Sequence, residues 1–139
     1  MKPQTIATLL LISVLSSCAP PAADSSTQSE TLDPPIYGKA QTYIGTVGTR
    51  DAVFTLDWQA DGIVNGYYYH TDVGPGIRYV LKGNNTASGE LVLTEYSPSV
   101  QTAVITLQKS VSRGQITWSG KMHNTDGNIR PVKLTRQSS

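Results

Sequence analysis

The chain has 139 residues, and its 11 Lys and Arg nearly balance its 10 Asp and Glu, leaving a formal net charge of +1. This length allows one folded domain beside a targeting segment and a linker, and the near-neutral charge argues against a nucleic-acid partner. Tyr, Thr, Val and Gly are plentiful relative to Ala, Glu and Lys, a composition that favours strands and turns over helices.

The N-terminus predicts export and lipidation. Lys2 and the apolar stretch 6–15 have the layout of a secretory signal peptide, which we assign to residues 1–17. Leu15-Ser16-Ser17-Cys18 resembles the lipobox of bacterial lipoproteins, which implies that Cys18 is acylated, for example with palmitate, and becomes the first mature residue. Because Ala19 replaces the Asp that retains some lipoproteins in the inner membrane, the resemblance implies an outer-membrane protein facing the periplasm or the cell surface.

Residues 18–35 predict a disordered tether. They contain four prolines and almost no large apolar side chain that a core could bury. A flexible segment of this length spans roughly 20–25 Å, so the domain that follows stays close to the membrane. The expected organisation is therefore a signal peptide at 1–17, a lipidated Cys18 with its tether at 18–35, and one β-domain at 36–139.

The rest of the chain predicts an all-β fold, because apolar residues recur at every second position in short runs separated by turn residues. We expect eight strands near 43–47, 53–58, 63–69, 77–82, 90–96, 103–108, 115–122 and 132–135. A single antiparallel up-and-down meander of about eight strands hides its edges best by closing into a small barrel; a β-sandwich is the alternative. The expected inward residues are Phe54, Leu56, Trp58, Ile77, Tyr79, Leu81, Leu91, Leu93, Ala103, Ile105, Leu107, Ile116, Trp118, Val132 and Leu134.

The turn after Trp58 fixes one register. A two-residue loop at 61–62 places Asn65 opposite Trp58, whereas a three-residue loop at 60–62 with a glycine bulge places Val64 there. The second register keeps an amide out of the core, so we favour it. It turns Tyr68 inward and leaves the tyrosines on either side of it on the outer surface.

The sequence lacks the usual catalytic and metal-binding patterns. His70 and His123 are far apart and without metal-ligand spacing, and His70 is expected to begin a solvated loop. Glu90 and Glu95 differ by an odd number of positions, so they point to opposite faces of their strand and cannot act as a glycosidase pair. We therefore predict a protein that is not an enzyme and that uses neither a cofactor nor a metal.

Two places are candidate binding sites for a ligand or a partner. Glu95 continues the inward phase of its strand, where a carboxylate needs hydrogen-bond donors; it is either a structural residue satisfied by a Tyr hydroxyl or an Arg, or a ligand contact. Tyr67 and Tyr69, with Arg78 and Lys82 on the next strand, form the second candidate, an exposed aromatic and basic surface suited to a protein or a glycan. Alternatively, these tyrosines only favour strand formation and cover their neighbours.

Two resemblances bear on function. Residues 61–69, 81–83 and 91–95 resemble a recurrent small β-domain of bacterial envelope proteins that has no assigned activity. Ser119-Gly120-Lys121-Met122, with His123 in place of Tyr, is partly similar to the Ser-Gly-x-x-Tyr motif of membrane-bound inhibitors of c-type lysozyme. The sequence favours an envelope-anchored binding module for a protein or a glycan. The alternatives are a lipocalin-like carrier, which needs an open interior, and an inhibitor of a cell-wall-degrading enzyme.

Overall fold

The computed structural model describes residues 37–137, which form one closed antiparallel barrel of eight strands. Each strand pairs with the next, and the last returns to pair with the first. The predicted all-β meander and its closure into a barrel are confirmed. The strands are β1 (Ala40–Val47), β2 (Arg50–Trp58), β3 (Ile63–His70), β4 (Tyr79–Asn85), β5 (Glu90–Tyr96), β6 (Gln101–Ser112), β7 (Gln115–Asn124) and β8 (Ile129–Arg136).

The predicted signal peptide, Cys18 and the tether all lie outside the described residues, as do the two C-terminal residues 138–139. No helix of sufficient length and hydropathy to cross a membrane occurs within residues 37–137.

The hairpin between β2 and β3 has the favoured register. Trp58 lies opposite Val64, and the three-residue loop ends at Gly62, whose φ of 91° is the left-handed conformation that glycine adopts easily. The amide of Gly62 donates to the carbonyl of Gln59 at 3.0 Å, and the Asp61 carboxylate accepts the amide of Ile63 at 3.1 Å. The turn chemistry and the burial of Trp58 therefore select the same register.

Side chains alternate between the interior and the surface along every strand, and the interior is packed. The fully buried residues include Phe54, Leu56, Leu81, Leu93 and Ile105, so the middle of the barrel is filled by aliphatic and aromatic side chains.

One inward residue was predicted wrongly. Ile77 is 57% exposed, because β4 begins only at Tyr79, whose partner across the hairpin is Tyr68. Ile77 instead belongs to the loop, where its amide is 3.5 Å from the carbonyl of Gly74. Side chains alternate between the two faces of a sheet only within a hydrogen-bonded strand, so the alternation does not predict the burial of a loop residue such as Ile77.

Strands β6 and β7 are longer than predicted. Their pairing continues through Lys109 opposite Trp118 and Val111 opposite Ile116, to the turn at 113–114. This extension raises one wall of the barrel above the packed centre and adds Lys109, Val111 and Ile116 to the rim at that end.

Candidate functional site

The barrel has a cavity at each end of its packed centre. The larger cavity, of about 410 Å³, lies where β2, β4, β6 and β8 end, and we call this the Trp end. Its lining residues are Gln41, Tyr43, Trp58, Asn85, Ser88, Gly89, Gln108, Lys109, Val111, Ile116, Trp118 and Arg136. The smaller cavity, of about 270 Å³, lies at the opposite Tyr end. Its lining residues are Arg50, Tyr68, His70, Tyr79, Glu95, Thr102, Met122, Asn124, Thr125, Asp126 and Arg130.

The floor of the Trp end is aromatic. Trp58 at the end of β2 and Trp118 in β7 stack with ring centroids 5.6 Å apart and an interplanar angle of 29°. Tyr43 from β1 adds a third ring to the lining, and the half-buried Ile116 packs against the core beneath it. The strand alternation places all four on the inner face, so the cavity has an apolar floor, although Trp58 and Trp118 stack on each other and are only 2% and 4% exposed.

Two residues that line the Trp end each hold a buried polar atom without a well-formed hydrogen bond. Asn85 Oδ1, an acceptor, has no partner among the described residues, and Trp58 Nε1, a donor, lies beside the Tyr43 hydroxyl without good hydrogen-bond geometry. The Tyr43 hydroxyl donates to Gln41 Oε1 at 3.3 Å. Burial raises the pKa of Tyr43, an effect partly offset by the nearby Trp58 N–H and by the charge of Arg136. An unmatched buried donor or acceptor is costly, so both atoms gain from a partner supplied by a ligand.

The Trp end carries positive charge on its inner rim. Lys109 continues the inward phase of Ile105 and Leu107 in β6, and Arg136 continues that of Val132 and Leu134 in β8. Among the described residues that line this cavity, none is acidic. The site therefore combines an aromatic floor, unmatched polar atoms and two cations.

The Tyr end is built around a buried carboxylate. Glu95 is 5% exposed; its Oε2 accepts the Tyr68 hydroxyl, and its Oε1 accepts the Thr102 hydroxyl at 2.6 Å. The Tyr68 ring is stacked between Phe54, at 4.6 Å, and Tyr79, at 4.9 Å. Burial and the hydrogen bond to Glu95 raise the pKa of Tyr68, so this phenol stays protonated and keeps donating.

His70 is also part of the Tyr end, which corrects the expectation that it begins a solvated loop. It is buried, and its ring meets Tyr68 edge-on at 5.5 Å. Burial lowers the pKa of His70, and the positive charge of Arg50 lowers it further. Arg50 makes a bidentate pair with Asp72, with Nη2 2.9 Å and 3.1 Å from the two carboxylate oxygens, and this contact lowers the pKa of Asp72.

The sequence-predicted site residues fall into two separate places. Glu95 faces the interior at the Tyr end, while Tyr67 and Tyr69 are half-buried on the outer face of β3. The Arg78 guanidinium lies 4.3 Å from the Tyr67 ring centroid, and Arg78 Nε donates to the carbonyl of Pro75 at 2.9 Å. The structure therefore joins Tyr67 with Arg78 and separates both from Glu95 by the barrel wall.

Potential metal ligands and the two acids of β5 are spread apart in the described barrel. Within residues 37–137, no cluster of three or more His, Cys, Asp or Glu side chains has a geometry that could hold a metal ion. Glu90 and Glu95 lie on opposite faces of β5, as the alternation predicts, and Glu90 Oε2 accepts a hydrogen bond from Gln108 at 2.7 Å.

Comparison with known proteins gives a match in fold only. No protein family and no curated protein sequence matches this chain. A solved structure does. The barrel is similar to rhizavidin in its complex with biotin, with a TM-score of 0.57, 11% sequence identity, and coverage of 76% of this chain and 98% of that one. At this identity the likeness shows the barrel fold alone and assigns no ligand to the chain.

Sequence reasoning missed the Trp end as a site. Its polar members all lie on the inward phase of their strands, one to three positions beyond the segments that were predicted as strands; they are Gln41, Asn85, Lys109 and Arg136. The signal that singled out Glu95, a polar residue continuing an apolar inward phase, applies equally to these four. It finds them once each strand is extended to the adjacent turn.

Proposed function

We propose that this chain is a membrane-anchored, non-enzymatic binding protein of the bacterial cell envelope, and that it takes a small ligand at the Trp end of its barrel. The observation that carries this proposal is the coincidence of a cavity of about 410 Å³ with two buried polar atoms that lack well-formed hydrogen bonds, Trp58 Nε1 and Asn85 Oδ1. Small-ligand sites are typically concave, mostly apolar and roughly 300–1,000 Å³ in volume, with a few polar groups that orient the ligand.

The filled centre of the barrel limits how deep the ligand reaches. Leu56, Leu81 and Leu93 are fully buried, so a ligand rests on the stacked Trp58 and Trp118 rings rather than passing along the barrel axis. Aromatic rings give a large contact area at a small cost in conformational entropy, which suits a shallow site. This geometry supports the small-ligand carrier among the alternatives that the sequence left open.

The test is a ligand titration of the full chain. Calorimetry measures affinity for a panel of small organic acids, amides and sugars, together with biotin, which rhizavidin binds in the similar structure. Tryptophan emission reports the location, because the only two tryptophans of the chain, Trp58 and Trp118, both lie at this end. We expect at least one ligand to bind, to change the emission, and to lose about tenfold or more in affinity in Trp118→Leu.

The control for that titration is Tyr79→Phe, which changes the opposite end of the barrel and should bind with unchanged affinity. The proposal is wrong if no member of the panel binds, or if Trp118→Leu binds as tightly as the wild type.

The membrane anchor is the second part of the proposal, and it is supported by the lipobox-like Leu15-Ser16-Ser17-Cys18. Durable anchoring needs more than one acyl chain, because a single chain holds only marginally. We expect Cys18→Ala to move the protein from the membrane fraction to the soluble fraction and to abolish labelling by radioactive palmitate. Labelled Cys18→Ala protein would contradict the assignment.

A second candidate function uses the outer surface of β3 and the loop that precedes β4, where Arg78 lies instead of on the next strand as predicted. The observation that favours it is the Arg78 guanidinium over the Tyr67 ring. Arg and Tyr are the residue types that often dominate binding to proteins and sugars. If this surface captures an envelope protein or a glycan, replacing Tyr67 and Tyr69 with Ser should abolish capture while the thermal transition remains. Trp118→Leu, at the other site, should leave capture intact.

A further inference from the structure

We infer that the ligand of the Trp end is a small organic anion, with an apolar body against the aromatic floor and one acidic group held by Arg136 and Lys109. The inference rests on the proposed function and names the ligand class of that same site. It follows from where the charges lie around the cavity.

Both cations point into the mouth of the barrel. Lys109 lies directly opposite Trp118 in the β6–β7 pairing, and Arg136 lies opposite Tyr43 in the β8–β1 pairing. Arg136 is half-buried, and Lys109 is exposed at the rim. The two cations therefore lie on either side of β7, which carries Trp118, so both can approach a ligand beside that ring.

No acid of the described chain enters this cavity to neutralise them. The acids of β2 and β5 at this end, Asp57 and Glu90, alternate with the buried Trp58 and Leu91 and so lie outside the lining. Asp57 Oδ1 is buried there without a partner, and Glu90 accepts a hydrogen bond from the lining residue Gln108. At the Tyr end the situation is different, because the lining includes Glu95 and Asp126 as well as Arg50 and Arg130. The unbalanced positive charge is thus specific to the Trp end.

A ligand anion at this mouth gains from contacts that a neutral ligand lacks. Charge-assisted hydrogen bonds are stronger than neutral ones, and the planar Arg136 guanidinium matches a carboxylate with two parallel N–H donors. The aromatic floor lowers the local dielectric, which strengthens these contacts relative to open water. A negative group also relieves the repulsion between Arg136 and Lys109.

The other half of the ligand is specified by the floor and its polar atoms. Trp58, Trp118 and Tyr43 make the lining aromatic, and Ile116 adds an aliphatic surface, so the lining suits an apolar ligand body. Trp58 Nε1 and Asn85 Oδ1 select ligands whose body carries an acceptor and a donor. An organic acid and its amide have the same apolar part and differ in charge. Comparing their affinities therefore separates the contribution of the negative charge from that of the aromatic floor.

The test uses matched probes on the full chain. Calorimetry compares 2-naphthoate with 2-naphthamide and cinnamate with cinnamamide, each at low and at high salt. We expect each acid to bind about tenfold or more tightly than its amide. The preference should shrink as added salt screens the rim charges, while amide binding changes little.

Three variants locate the effect. Arg136→Gln should weaken acid binding by about tenfold, with a smaller loss for Lys109→Gln, while amide binding stays the same and shows that the site is intact. Arg130→Gln is the matched control, because it removes the same charge from the Tyr end and should preserve the acid preference.

Each outcome separates this inference from the function it rests on. Equal binding of acid and amide, with affinity still dependent on Trp118, overturns the inference and leaves the proposed function standing. Equal losses in Arg136→Gln and Arg130→Gln also overturn it, since the preference would then come from overall charge. Failure of all four probes and of the wider panel to bind overturns the proposed function and the inference together.

Discussion

At the scale of single residues, the Glu95 carboxylate stays buried because two hydroxyl groups satisfy its oxygens. The donors come from Tyr68, 27 positions earlier in the chain, and from Thr102, 7 positions later. The raised pKa of Tyr68 keeps the phenol protonated, so the donor persists throughout the neutral range. This network joins β3, β5 and β6 at the Tyr end.

Tyr68→Phe removes one donor and leaves a carboxylate oxygen buried without a partner. We expect a loss of about 1–3 kcal/mol in the free energy of unfolding, measured by urea denaturation. Tyr79→Phe is the control, because it deletes the hydroxyl of the ring stacked on Tyr68 without touching the Glu95 contacts. Equal stability of the two variants would show that the Tyr68 hydroxyl contributes nothing.

His70 makes stability depend on pH. Its pKa is lowered in the folded barrel, by burial first and by Arg50 second, below the ordinary value of 6.5. Between the two pKa values, the unfolded chain is protonated at His70 while the folded chain is not. The free energy of unfolding therefore falls as the pH drops below 6.5, and it stops falling once the pH is below the pKa of His70 in the folded barrel. The lowered pKa values of Asp72 and Asp126 act only below their ordinary value of 3.8, outside this window.

The measurement is the urea midpoint at pH 7.5 and pH 5.5. The wild type should be less stable at the lower pH, and His70→Phe, which keeps a ring against Tyr68 and Tyr79, should lose most of that difference. His123→Gln removes the other histidine, which is exposed on β7, and should retain it. A His70→Phe variant with the full pH dependence would contradict this account.

At the scale of elements, the strands approach each other closely at inward glycines. A Cβ built on Gly66 of β3 would lie 2.0 Å from the carbonyl oxygen of Thr55 in β2. That distance is far inside van der Waals contact, so the backbone must move to admit a side chain. Equivalent approaches occur at Gly45, Gly83 and Gly120.

Gly66→Ala should therefore destabilise the barrel by at least about 1–3 kcal/mol, the usual cost of overpacking, because a backbone atom cannot yield as a side chain can. Gly76→Ala is the matched control: a Cβ there meets nothing within 4 Å, and its φ is not left-handed. Thermal unfolding of the two variants checks the contrast. Similar melting temperatures for both would refute the close approach.

Elements were more predictable from the sequence than the site was. Alternation gives the face of each residue, and the hairpin loop at 60–62 gives the β2–β3 register, because burying Trp58 opposite Val64 is compatible with only one loop length. Alternation does not say where a strand stops, so Ile77 was placed inside and Lys109 was left out of its strand. The contact between Tyr68 and Glu95 reaches across β4 and depends on the registers of two successive hairpins, which no local pattern encodes.

At the scale of the whole molecule, closure links the two ends. Tyr43–Val47 in β1 pairs with Val132–Arg136 in β8, so the described sheet has no free edge. A single hydrophobic cluster extends from Trp118 at one end to Tyr68 and Met122 at the other. Opening either end therefore exposes the same core, and the barrel should unfold as one cooperative unit.

Two probes at opposite ends test this cooperativity. Tryptophan emission reports Trp58 and Trp118 at one end, and the NMR resonance of the His70 ring reports the other. In urea both should give the same midpoint and the same slope. Tyr68→Phe makes the test more stringent, because it changes only the Tyr end. If the barrel unfolds as one unit, this variant should lower the urea midpoint of the tryptophan signal by the same amount as the urea midpoint of the His70 signal. A His70 transition that precedes an unshifted tryptophan transition would mean that the Tyr end opens separately, with the packed centre isolating the Trp end from it.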